Sequence, residues 1–99
     1  MSVQADETTA GRMTAALLEY LAKPSCPAGR ARFSTQAIGL VLIREIARGE
    51  PQVSIVRLGS ETGLGPSAVV RALRYLQQAK LIERTPSKQG PHTIRWIAE

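Results

Sequence analysis

The chain has 99 residues, 43% of them hydrophobic but only 4% aromatic, and its 13 basic and 8 acidic side chains leave a net charge of +5. So short a chain cannot fill a second hydrophobic core, so a single domain built on Leu, Ile, Val and Ala is expected, and a disordered protein is excluded. Cys26 is the only cysteine, which excludes an intramolecular disulfide and fits a reducing cytoplasm. The longest apolar run, IGLVLI at 38–43, is too short to span a bilayer, and the polar start MSVQADETTAGRM is unlike a signal peptide. A cytoplasmic protein with no membrane partner is expected.

Residues 1–11 hold no periodic apolar pattern and are read as a flexible tail ahead of a single domain over 12–99. Met13, Leu17 and Tyr20 or Leu21 recur at helical spacing and predict a first helix from Arg12 to Ala22, which Pro24 cannot continue. After the loop KPSCPAGRAR, Ser34 or Thr35 is the expected N-cap of a second helix running to Arg48. Ile38, Val41, Leu42 and Ile46 form its main stripe, and Leu40, Ile43 and Ala47 widen it. A helix apolar around most of its girth is either central to the fold or shared with a partner subunit. Gly49 and Pro51 end it.

QVSI at 52–55 supplies one short strand, and VRLGSETG at 56–63 a compact helix. Pro66 is preorganised for the first helical position and opens a further helix to Ala79 or Lys80. LIERT at 81–85 and HTIRWIA at 92–98 are strand-like, joined by a Pro- and Gly-containing loop. The fold class is mainly α with a small β-hairpin (α+β). The order is that of a winged helix-turn-helix with an extra N-terminal helix, its helix-turn-helix over 56–80 and its wing over 81–98.

Within 66–80, Val69, Ala72, Leu73 and Leu76 fall at i, i+3, i+4 and i+7 and make the core face. Ser67, Ala68, Val70, Arg71, Arg74, Tyr75 and Gln78 are left outside. Two arginines on the outer face near a helix N-terminus suit a major-groove reader, since the groove admits one helix and the dipole favours phosphate. The sharp GLG turn lets one helix protrude while the other braces it: Gly63 supplies a left-handed conformation, Leu64 plugs the junction, and Gly59 removes a side chain at the crossing. Charge agrees: residues 51–99 carry seven basic and three acidic side chains, against six and five in residues 1–50. A bare helical hairpin whose charge merely aids solubility is the plainer account.

The stretch VSIVRLGSETGLGPSAVVRALRYLQQAKLIERTPSKQGPHTIRWI, residues 53–97, resembles bacterial winged helix-turn-helix regulators of the MarR and related groups. The matching places are Leu58, Thr62, Gly63, Leu64, Pro66, Ser67, Val69, Arg71, Ala72, Leu73 and Leu76, followed by LIER. The resemblance implies that Ser67, Val70, Arg71 and Arg74 face DNA, with Arg71 as the strongest base or phosphate contact. It has three departures. Gly65 stands where a capping Ser is usual, Ala68 and Val70 where small hydroxyl residues are common, and Lys80 where a Gly often ends the helix. The second departure suggests contacts to thymine methyls, which puts Ala68 among the DNA-facing residues.

Arg84, Lys88 and Arg95 lie on or beside the hairpin, and Arg84 and Lys88 are expected to position the protein on phosphates. A solvated hairpin edge explains Lys88 almost as well. Trp96 is assigned to the core, with stacking on a base a poor second, and Arg30 and Arg32 to a solvated loop, with an arm touching DNA as the weaker alternative. No catalytic site, metal site or cofactor is expected. The single His92, Asp6 and Cys26 are scattered, a metal needs three or four ligands, and GLG lacks the rest of any phosphate-binding motif.

The sequence thus points to a sequence-specific double-stranded DNA-binding transcriptional regulator, acting as a homodimer. Met13, Leu17, Tyr20 and Leu21, with exposed parts of the second helix, are the expected dimer surface, because they have no obvious core of their own. A plasmid or phage replication or partition protein, or a winged-helix interaction module that binds no DNA, are the alternatives.

Overall fold

The computed structural model describes the backbone at residues 2–49, 52–85 and 92–97, and side chains at 9–49, 52–85 and 93–97. The described elements run α1 (Ser2–Ala22), α2 (Arg30–Ala47), β1 (Gln52–Val53), α3 (Ile55–Thr62), α4 (Pro66–Gln78), β2 (Ile82–Thr85) and β3 (His92–Trp96). The expected order of elements is found, and the fold is a mainly helical α+β winged helix.

Two helix starts differ from the sequence reading by more than a residue, and α3 takes in Ile55, which the sequence reading gives to the strand. α1 begins at Ser2, not Arg12, so the stretch read as a tail is helical. No proline interrupts it, and once a turn is nucleated each added residue gains a hydrogen bond. α2 begins at Arg30, behind an N-cap at Gly29, and not at Ser34 or Thr35. Thr35 lies buried inside the helix, where its hydroxyl donates to the Ala31 carbonyl at 2.7 Å. A threonine can satisfy its hydroxyl on the preceding turn as well as at a cap, and the sequence pattern does not separate the two.

α2 is the central helix, packed against α1, α3 and α4. Leu17 of α1, Ile38 and Leu42 of α2, Leu58 of α3, Leu73 and Leu76 of α4, and Ile82 and Ile94 of the sheet are all fully buried in one cluster. α1 approaches α2 closely because Gly39 has no side chain: a Cβ there would lie 2.8 Å from a Leu17 methyl. The sequence reading took Gly39 only as part of an apolar run.

α2 and α3 are also joined by charge. Glu45, wholly buried, accepts from Arg57 at 2.9 Å and from Arg44 at 3.0 Å, and Arg44 reaches on to Glu61 at 3.0 Å. These hydrogen bonds, that to Glu61 first and that to Glu45 next, hold the Arg44 guanidinium above its ordinary pKa. The sequence reading missed this network, since Glu45 carries no signal of burial except its place on the apolar side of α2.

The three strands form an antiparallel sheet in the order β1-β3-β2. Ile82 pairs with Trp96, Glu83 with Arg95 and Arg84 with Ile94. Alternation along the strands puts Ile82, Arg84, Ile94 and Trp96 on the face toward the helices, and Glu83 and Arg95 on the other. Trp96 packs against the core, as expected.

Candidate nucleic-acid interface

The helix-turn-helix is built locally. Ser54 caps α3 by accepting the Arg57 amide at 3.0 Å. Gly63 ends the helix at φ 77, a left-handed conformation that residues with a Cβ rarely adopt, and its amide bonds back to Gly59. Thr62 closes the turn: its hydroxyl donates to Leu58 and accepts the Leu64 amide. Gly59 lets the turn pass, because a Cβ there would stand 2.8 Å from the Leu64 carbonyl oxygen. Leu64 packs against the core beneath.

α4 then starts at Pro66, and Gly65 offers it no side-chain cap. Val69, Ala72, Leu73 and Leu76 are buried, which fixes the rotation of the helix and turns Ser67, Arg71 and Arg74 to solvent. Pro66, Ser67, Val70, Arg71 and Arg74 together line an open groove of about 380 Å³. Among the described residues neither Arg71 nor Arg74 has a carboxylate partner, whereas Arg44, Arg57 and Arg95 do. Two unneutralised guanidiniums beside a hydroxyl and an apolar side chain offer donors for base edges or phosphates and a surface for thymine methyls.

Behind α4, Tyr20 of α1 and Tyr75 of α4 share a cleft of about 260 Å³ with Ser25, Pro27, Gln78 and Ala79. Burial, then the neighbouring Cys26 and more weakly Tyr75, push the Tyr20 hydroxyl from 10.0 up to about 12.

Ser67, Val70, Arg71 and Arg74 line one groove, and Ala68 stands at its margin. Ala68 is half-buried and lines a cleft on the α2 side of the helix. Arg84 is half-buried on the core-facing side of the sheet, opposite Ile94, while Arg95 donates to Glu83 at 3.2 Å across the outer face. Lys88 lies outside the described residues.

The proposed dimer residues need correction. Met13, Leu17, Tyr20 and Leu21 are all buried within the chain's own core, on a helix packed against α2. The shortage of core that assigned them to a partner does not exist. Among the described residues, the large apolar side chains left exposed on these helices are instead Leu18 on α1 and Phe33 and Leu40 on α2.

Among the described residues no helix is long and apolar enough to cross a membrane, and no group of His, Cys, Asp and Glu could hold a metal ion. No curated protein and no solved structure matches the chain significantly. A model of the MarR family matches residues 40–90, about half of the chain, from the middle of α2 through α3, the turn, α4 and β2. With the helix-turn-helix and sheet in the expected places, the chain belongs to the MarR family of winged-helix, DNA-binding transcription regulators.

Proposed function

We propose that the protein is a sequence-specific regulator of transcription that binds duplex DNA as a homodimer, laying α4 in the major groove. The observation that carries the reading is the groove on α4, where Ser67, Val70, Arg71 and Arg74 meet with both guanidiniums exposed and, among the described residues, without a carboxylate partner. A single helix fits the major groove, and arginine recognises guanine through two parallel hydrogen bonds. The family match supports the coarser part of this reading, a DNA-binding regulator of transcription. Arg84 and Lys88 would position the wing on phosphates, with Arg84 reaching round from the inner face of the sheet. Ala68 belongs to this surface only as its margin. Such a protein works where the DNA is, in the cytoplasm.

The test is selection of bound fragments from a random duplex pool, followed by gel shift of the enriched sequence. Enrichment of one motif in two related halves is expected, since a dimer presents two identical reading helices. Arg71→Ala should weaken binding to that motif by about 1–3 kcal/mol and relax preference at one position. Unchanged binding by this variant would remove Arg71 from the site. Absence of any retained complex at low salt would favour an interaction module instead.

A further inference from the structure

A second depression adjoins the reading groove. A cleft of about 290 Å³ opens between the first turn of α2 and the flank of α4, lined by Arg30, Ala31 and Ser34 from α2 and by Ala68, Arg71 and Tyr75 from α4. Arg71 lines this cleft and the reading groove alike, so the two are neighbours on one surface.

The chemistry of the lining suits an oxyanion. Its polar side chains are two guanidiniums and two hydroxyls, with no carboxylate. Among the described residues Arg30 has no ion pair, like Arg71. The cleft also takes in the start of an 18-residue helix whose N-cap, Gly29, provides no side-chain acceptor. The Gly29 carbonyl takes the amides of Arg32 and Phe33, and the two residues ahead of them, Arg30 and Ala31, both line the cleft. Amides at a helix start lack acceptors within the helix and carry the positive end of its dipole. By contrast, a cleft behind α4 at the end of α1 presents Glu19 beside Lys23 and has no such bias.

We propose that Arg30, Ser34 and the first turn of α2 seat a backbone phosphate of the same duplex that α4 reads. The inference rests on the DNA-binding reading above and adds α2 to it. A duplex placed with its major groove over Arg71 carries its sugar–phosphate backbone along the flank of α4, where this cleft opens. The contact is one of position: it holds the register of α4 without reading sequence. Arg30 and Arg32, which the sequence offers together as a solvated loop or an arm touching DNA, are thereby separated, for Arg32 does not line the cleft.

Fluorescence anisotropy of a labelled duplex, titrated between about 50 and 200 mM salt, tests this. Arg30→Gln should lower the slope of log affinity against log salt by about one, with the same loss on the selected motif and on unrelated DNA. Arg30→Lys, which keeps the charge, should restore most of the slope. Ser34→Ala should weaken binding and leave the slope unchanged. If the wild type binds steeply and Arg30→Gln keeps its full slope, the phosphate seat is wrong and the DNA-binding reading survives. A loss confined to one sequence would make Arg30 a base reader and also overturn the seat. If the wild type shows no salt-dependent binding, the reading itself fails and the seat with it. Thermal melts of each variant, compared at equal folded fraction, separate lost contact from lost fold.

Discussion

Lys80 has φ 63, the only left-handed backbone conformation at a non-glycine position among the described residues. It sits where α4 ends, and its amide bonds to the Gln77 carbonyl while that of Leu81 bonds to Leu76 at 3.1 Å. This is the pair of hydrogen bonds that closes a helix behind a left-handed residue, with Leu76 and Leu81 in the accompanying buried contact. A left-handed conformation costs an L-residue about 1–2 kcal/mol, and glycine in its place loses about 0.5–1 kcal/mol more entropy on folding. Lys80→Gly should therefore stabilise the fold by about 0.5–1 kcal/mol in urea denaturation. The sequence showed that a glycine was missing from this position, and the turn keeps the glycine geometry regardless, because the buried leucines on either side require it. Tyr20 offers a second test. Its hydroxyl holds a proton to about pH 12 in the fold and to 10.0 when unfolded. The unfolded chain thus binds fewer protons in this window, and stability is complete below pH 10, falling as pH rises toward 12. The slope attributable to this group is at most about 1.4 kcal/mol per pH unit. Tyr20→Phe should remove that component of the alkaline loss, read as the difference between wild-type and variant unfolding curves.

Between elements, the Glu45 network shows where periodicity stops being informative. The apolar stripes of α2 and α4 were legible because burial repeats along a helix, and the core of α4 is the one expected. The charge of Glu45 was legible too, but not that arginines from two elements would close around it. Its partners come from α2 and α3, and Arg57 is twelve residues away. Such a pairing depends on how the helices cross, which no local pattern encodes. The same limit explains α1: Met13, Leu17, Tyr20 and Leu21 were correctly seen as an apolar face, yet what they pack against depends on Gly39 admitting Leu17. A buried carboxylate left without cations is costly, about 3–5 kcal/mol, whereas one remaining partner still offsets much of its desolvation. Arg48 stands farther off, 4.0 Å from the same Glu45 oxygen. Arg44→Ala and Arg57→Ala should each be mild, and together, with Arg48 left at that longer range, they should destabilise by more than the sum of the two. Additive values in chemical denaturation would show that Glu45 has other adequate partners.

At the scale of the molecule, and among the described residues, the unpaired cations and the exposed apolar side chains of α2 lie on adjacent faces of the helix. The cationic side is α4 with the first turn of α2, where Arg30, Arg71 and Arg74 stand without carboxylates among the described residues. The apolar side includes Phe33, 71% exposed, and Leu40, 45% exposed, which fall seven residues apart on one face of α2 with Ala37 between them. Large apolar side chains aligned in this way on a surface helix are suited to a partner, and a second copy would place two reading helices on one duplex. A symmetric pair reads two half-sites about one DNA turn apart and doubles the phosphates neutralised, so affinity and salt slope both rise with dimerisation. Phe33→Ser with Leu40→Ser alters exposed positions, so the fold should persist by circular dichroism while sedimentation shifts from dimer to monomer. The monomeric variant should bind DNA more weakly, with about half the salt slope and no preference for a second half-site. If the variant sediments like the wild type, the pairing surface lies elsewhere. If the wild type is itself a monomer that binds one half-site with full slope, α4 reads DNA alone and the dimer is not part of the function.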